Sequence, residues 1–136
     1  MDIVIDFDGT CVTHEYPAIG REIGATTVLR DIVDAGNRLI LFTMRCNNKK
    51  KNNRTLDDAV AWFVERDIPL FGIQTNPEQS CWTSSPKACG ELYIDDAALG
   101  CPLIIPESGE RPYVDWKTVR KMLEEMDVLS KPILFF

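Results

Sequence analysis

Four aspartates, a threonine and a lysine stand where they could act together. Asp6 and Asp8 close the run Ile3-Val4-Ile5-Asp6-Phe7-Asp8-Gly9-Thr10, and Thr43 follows the apolar run Leu39-Ile40-Leu41-Phe42. Lys87 precedes Leu92-Tyr93-Ile94, which ends in Asp95-Asp96. Such a set suits phosphoryl chemistry. Crowded carboxylates repel one another, and a divalent cation relieves the repulsion. A hard cation such as Mg²⁺ binds a few carboxylates together with phosphate and water. A hydroxyl and an ammonium can take phosphate oxygens, and a carboxylate can attack phosphorus to give an aspartyl-phosphate. Each residue also has a plain structural reading. Asp and Gly are ordinary turn residues, Thr43 can cap a strand end, and Lys87 can be a solvated loop lysine.

These groups converge only if the elements before them end on one edge. The first strand is expected over residues 2–7, followed by a loop over 11–23. Thr26 or Thr27 can cap a helix with Val28, Leu29, Ile32 and Val33 on one face, closed by Gly36. A second strand runs from Arg38 to Phe42, and a polar loop continues through Arg54. Thr55-Leu56-Asp57-Asp58 resembles a capping box and opens a helix with Leu56, Ala59, Val60 and Phe63 on its core face and Trp62 flanking them. Leu70-Phe71-Gly72-Ile73, Leu92-Tyr93-Ile94 and Leu103-Ile104-Ile105 read as three further strands, with a long loop from Gln74 to Lys87. Asp115 caps a last helix with Trp116, Val119, Met122, Leu123 and Met126 turned inward. Continuously apolar strands are buried on both faces, as in parallel sheets. Strands alternating with helices then predict a Rossmann-like α/β fold, a three-layer α/β/α sandwich with a mainly parallel central sheet.

At 136 residues the chain is one domain. Its formal charge of −6 and pI near 4.7 argue against broad binding to nucleic acid or anionic membrane. No apolar run approaches the ~20 residues of a membrane span, and the first residues do not read as a signal peptide. Five cysteines without C-x-x-C spacing read as free thiols in a reducing, cytoplasmic setting. The apolar tail Pro132-Ile133-Leu134-Phe135-Phe136 is expected to pack on its own domain, with a homo-oligomer contact as the second reading.

In this arrangement the sequence resembles the haloacid dehalogenase-like (HAD) phosphatase superfamily. Its D-x-D-G-T motif matches Asp6-Phe7-Asp8-Gly9-Thr10, its strand-ending Thr or Ser matches Thr43, its basic residue matches Lys87, and its acidic pair matches Asp95-Asp96. The order is that of the family, over residues 6 to 96. The resemblance implies Asp6 as nucleophile and Asp8 as general acid, then base. It implies Thr43 and Lys87 as ligands of the transferring phosphoryl group. Mg²⁺ would be held by Asp6, the Asp8 backbone carbonyl and Asp95, with Asp96 beside it or exchanging roles with Asp95. An Asp at position 8 matches the phosphatase branch of the family.

Gly9 and Thr10, in the turn, and Arg45, two residues past Thr43, are the expected substrate-binding residues. Neither interval between motifs is long enough for an inserted cap domain, so the chain reads as a capless member. His14, the Lys49-Lys50-Lys51 run and Trp82 lie on loops that could line or cover the site. The expected function is a Mg²⁺-dependent phosphatase acting on a small phosphorylated metabolite. The alternatives are a polynucleotide or phosphoprotein phosphatase, or a non-catalytic regulatory domain on the same fold. A two-component receiver domain matches less well, because Leu70-Phe71-Gly72-Ile73 leads to Gln74 where its phosphoacceptor Asp would stand.

Overall fold

A computed structural model describes residues 1–133. The chain runs β1 (Asp2–Ile5), α1 (Ala25–Asp34), β2 (Arg38–Leu41), β3 (Asn47–Asn48), a single 3-10 turn (Lys49–Lys51), β4 (Asn53–Arg54) and α2 (Thr55–Glu65). It continues through β5 (Gly72–Ile73), β6 (Leu92–Ile94), β7 (Leu103–Ile104), β8 (Tyr113–Val114) and α3 (Trp116–Glu125). Four strands form a parallel sheet in the order β5-β2-β1-β6.

The register aligns the chemistry. Ile5 pairs with Leu41 on one side and Ile94 on the other. The ladders continue one step further, with Asp6 N donating to Ile94 O (3.1 Å) and Phe42 N to Ile5 O (2.9 Å). Asp6, Phe42 and Asp95 therefore leave the sheet level with one another, at the carboxyl edge where open α/β sheets bind ligands.

Successive side chains of a strand point to opposite faces. Ile3 and Ile5 of β1 and Leu39 and Leu41 of β2 join Phe7 in the main core. That core takes Val28, Leu29 and Ile32 from α1, Ala59, Trp62 and Phe63 from α2, and Trp116, Val119 and Leu123 from α3. Val4 and Ile40 turn the other way, onto Ala88 and Phe71. All three helices thus share one face, and the expected helical layer on the second face is replaced by the irregular segment after β5. A coil can cover a sheet only if its buried backbone polar groups find partners. Two buried amides supply them. Asn76 Nδ2 donates to Cys89 O and Asp2 Oδ2 (both 3.0 Å). Gln79 accepts from Cys89 N (2.7 Å) and donates to Lys87 O (3.0 Å) and Ser85 O (3.2 Å).

Other expectations are corrected locally. Leu103–Ile104 does not extend the parallel sheet; it pairs antiparallel with Tyr113–Val114, bounded by Pro102 and Pro106, which lack the N–H that a ladder needs. The polar stretch after Arg45 is an antiparallel hairpin, β3–β4. Helix α1 begins at Ala25 after Gly24, whose φ is +93°, so neither Thr26 nor Thr27 caps it. Thr55 opens α2 without capping it, its hydroxyl donating instead toward Asn53 Oδ1 (2.8 Å) and Cys46 O (3.0 Å). Trp62 is buried in the core, edge-on to Phe7 and Phe63. Met122 and Met126 are exposed beside an apolar hollow next to β6, while Val119 and Leu123 hold the core face. Asp115 does cap α3, accepting from Thr118 N (3.2 Å). Of the apolar tail, Leu134 to Phe136 lie outside the described residues.

Candidate active site: an acidic cleft at the sheet edge

The turn after β1 is bolted down from several directions. Thr10 N and Cys11 N both donate to Phe7 O (3.1 and 2.8 Å), and the Phe7 ring lies under Trp62. Val114 N donates to Gly9 O (3.0 Å), and Trp116 Nε1 to Thr10 O (2.7 Å). The buried Thr10 hydroxyl accepts from Asp96 N (3.0 Å) and donates to Asp6 Oδ2 (2.8 Å). Thr10 is therefore a brace between the two acidic strand ends, not a free substrate ligand. Cys11 is buried behind Asp6, its Sγ donating to Asp6 O (3.3 Å). Burial first, and then the Asp6 charge, push its thiol well up, which makes it a poor oxidation target.

Gly9 has φ +80°, and a Cβ on it would lie 2.0 Å from His14 Nε2 and 2.6 Å from Asp96 Oδ2. Its contribution is room for the His14–Asp96 contact, which measures 2.8 Å. Gly9→Ala is expected to cost about 1–3 kcal/mol from the backbone conformation alone and more through displacement of His14. A shift of the urea midpoint to lower concentration checks this, and an unmoved midpoint would contradict it.

Asp6, Asp95 and Asp96 each bring a carboxylate oxygen to within 4.8 Å of the others. Burial is the largest force on Asp6, and the nearby charge of Asp95 and the contact with Asp96 add to it. Against the opposing Thr10 hydrogen bond, these push the Asp6 carboxyl up to about 8. Asp95 Oδ1 is oriented by the Ala97 N–H (2.8 Å). Three converging carboxylates, one made reluctant to ionise by burial and then by its neighbours, are a donor set that fits a hard divalent cation.

Asp8 points to Arg45. The guanidinium makes a bidentate pair with it, Nε to Oδ2 and Nη2 to Oδ1, both 2.8 Å. Arg45 also donates to Pro17 O (3.1 Å), Ala18 O (2.8 Å) and Thr55 O (3.3 Å), with its side chain 0% exposed. A guanidinium has five N–H donors, and all five are engaged. Arg45 is thus a hub joining Asp8, the 11–20 loop and the start of α2; the expected clamp on a second substrate anion has no free donor.

Thr43 lines the cleft, its Oγ1 accepting from Arg45 N (3.1 Å). Its backbone is held by Gln74, which accepts from Thr43 N (2.8 Å) and donates to Thr43 O (2.6 Å) and Arg45 O (3.1 Å). Sequence reading missed Gln74. Its only signal was its position just past the third strand, level with the residues after β2.

The cleft holds about 510 Å³ and is lined by Asp6, Asp8, His14, Tyr16, Thr43, Met44, Arg45, Asp95, Asp96, Ala97 and Arg111. Lys87 is not among them. It is exposed, with Nζ 5.6 Å from the Tyr93 ring, because the 74–90 segment carries it on the coil-covered side of the sheet. Lys49 lines a separate hollow with Asn47, Asn52 and Arg54, so the basic hairpin does not wall the cleft. Trp82 is exposed and also stands outside it. His14, Tyr16, Met44, Ala97 and Arg111 are the cleft residues to which sequence reading gave no firm role.

No helix among the described residues is long and apolar enough to cross a membrane. No protein-family model matches the chain, and no curated protein matches it. Among solved structures, a conserved protein from Bacteroides thetaiotaomicron is 33% identical over 93% of this chain and 91% of its own, with a TM-score of 0.72. Identity at that level across nearly the whole of both chains places this protein in the family of that conserved Bacteroides thetaiotaomicron protein.

Proposed function

We propose that the chain is a capless, HAD-like, Mg²⁺-dependent phosphatase that hydrolyses a phosphate monoester through an aspartyl-phosphate on Asp6. The observation that carries this reading is the convergence of Asp6, Asp95 and Asp96 at the carboxyl edge of a parallel sheet, with Asp8 two residues from the nucleophile. Asp6, Asp95 and Asp96 would hold the cation, together with the Asp8 backbone carbonyl that the family resemblance implies. When bound, Mg²⁺ lowers the electrostatic cost of bringing an anionic phosphate to a carboxylate.

The chain's own residues do the rest. Asp6 attacks phosphorus in line, the P–O bond to the leaving group breaks, and the acyl phosphate forms. Thr10 orients the Asp6 carboxylate through the 2.8 Å hydrogen bond. Thr43, at the cleft wall, offers a hydroxyl to a phosphoryl oxygen. Asp8, with both oxygens on Arg45, is set as the base that deprotonates the attacking water in the second half-reaction. To act as acid in the first half, it has to exchange a guanidinium contact for a proton. The exposed Tyr16 and Met44 give the cleft an apolar lip suited to the organic part of a small phosphorylated metabolite. The intervals between the acidic motifs are filled by a loop before α1 and by the β3–β4 hairpin, α2 and β5, which supports the capless reading.

The test is a substrate panel of sugar phosphates, nucleotides, phosphopeptides and 3′-phosphorylated oligonucleotides, run with Mg²⁺ and with excess chelator. Metal-dependent release of phosphate from a small monoester is the expected result. Preference for the oligonucleotide or phosphopeptide would move the substrate class to the macromolecular alternative. Full activity in chelator would remove the metal from the mechanism, and no turnover on any class would favour a binding domain.

A further inference from the structure

A phosphate monoester entering a cleft of four aspartates needs a cationic donor for its outer oxygens besides any bound metal. Lys87, the residue the family pattern points to, does not line the cleft. Arg45 lines it but has every N–H engaged. His14 has Nε2 on Asp96. Arg111 remains: it lines the cleft and is exposed, and it makes no ion pair or side-chain hydrogen bond among the described residues.

Its backbone is fastened on both sides. Glu110, just before it, takes Arg21 Nη2 on both oxygens (2.8 and 3.1 Å). Three residues after it, Val114 N donates to Gly9 O in the nucleophile turn (3.0 Å). The segment carrying Arg111 is thus tied to the loop over the cleft and to the turn beneath it. A guanidinium presents paired N–H donors that match two oxygens of a phosphoryl group.

We infer that Arg111 is the anion-binding residue of the cleft, donating to the phosphoryl oxygens of the substrate where the family pattern would use Lys87. The inference rests on the phosphatase reading of the same cleft. It makes Arg111 a catalytic residue contributed from beyond the last acidic motif, just before β8.

Calorimetric titration of the full chain with inorganic phosphate at saturating Mg²⁺ tests it, using wild type, Arg111→Gln, Arg111→Lys and Lys87→Gln. Arg111→Gln is expected to bind phosphate roughly tenfold or more weakly, with partial recovery in Arg111→Lys and no more than about a twofold change in Lys87→Gln. An exposed arginine is dispensable for folding, and an unchanged thermal midpoint verifies that. Wild-type affinity in Arg111→Gln overturns the assignment, as does loss of binding in Lys87→Gln instead. Turnover on the substrate panel separates the two levels of the argument. A wild type that turns over monoesters while Arg111→Gln keeps its KM and phosphate affinity leaves the phosphatase and rejects Arg111; a wild type with neither turnover nor phosphate binding removes both.

Discussion

Asp6→Asn is expected to abolish turnover, by on the order of 10⁴-fold or more, while making the metal-free fold more stable. The loss follows from chemistry, since a carboxamide oxygen is a poor nucleophile toward phosphorus and cannot carry the acyl phosphate. The gain follows from electrostatics. Burial first, and then the neighbouring Asp95 and Asp96, push the Asp6 carboxyl from 3.8 up to about 8. A carboxyl whose folded value lies above its unfolded value binds its proton more tightly in the native state. Its stabilising contribution is therefore complete below about 3.8 and is lost as pH rises through about 8. At neutral pH and above, the wild type without metal carries a penalty of a few kcal/mol, at ~1.4 kcal/mol per unit, which the uncharged Asn removes.

Thermal melts from pH 5 to 9 in chelator should fall with pH for the wild type and stay flatter for Asp6→Asn. Adding Mg²⁺ should raise the wild-type curve, by about 2.7 kcal/mol at a hundredfold excess over Kd, most strongly at high pH. Retained turnover in Asp6→Asn would reject Asp6 as nucleophile. Parallel pH curves for the two proteins would show instead that burial and the neighbouring carboxylates do not hold a proton on Asp6.

Arg45→Met is expected to destabilise the protein by about 3–5 kcal/mol, the usual range for removing one partner of a buried ion pair. The side chain is fully enclosed and joins Asp8 to Pro17, Ala18 and Thr55. Methionine fills much of the volume but leaves the Asp8 carboxylate without its cation and three carbonyls without their donor. A double variant, Arg45→Met with Asp8→Asn, should recover part of the loss because the unpaired charge is gone. Equilibrium urea unfolding of both variants reads this directly. A single variant as stable as wild type would assign Arg45 to solvent and return it to the list of substrate clamps. The same variant should also loosen the 11–20 loop that carries His14 and Tyr16 to the cleft, so KM should rise along with the fall in stability.

Four of the five strands legible in the sequence form the parallel sheet and end on one edge, whereas Leu103-Ile104-Ile105 carries the same apolar pattern and lies outside it. Three consecutive β-branched residues before Asp6, and four apolar residues before Thr43, are continuous because central parallel strands are buried on both faces. The same pattern brings Asp6 and Asp95 out side by side, and the register places them level with Phe42, with Thr43 one residue beyond. The α3 cap at Asp115 was equally legible, because a capping side chain acts within one turn. Only the tertiary structure decided the contacts between residues far apart in the chain. Arg45 and Asp8 are 37 positions apart and Thr10 and Asp96 are 86 apart, so no local pattern announces that they meet. The covering of the second sheet face was hidden for a similar reason. A helix declares itself by its 3.6-residue period, whereas a coil held by the amides of Asn76 and Gln79 has no period to read. That coil also carries Lys87, which does not line the acidic cleft, while Arg111, remote in sequence from every motif, does. Charge type and spacing can nominate a cation, but only the path of the chain through space decides which one faces the carboxylates.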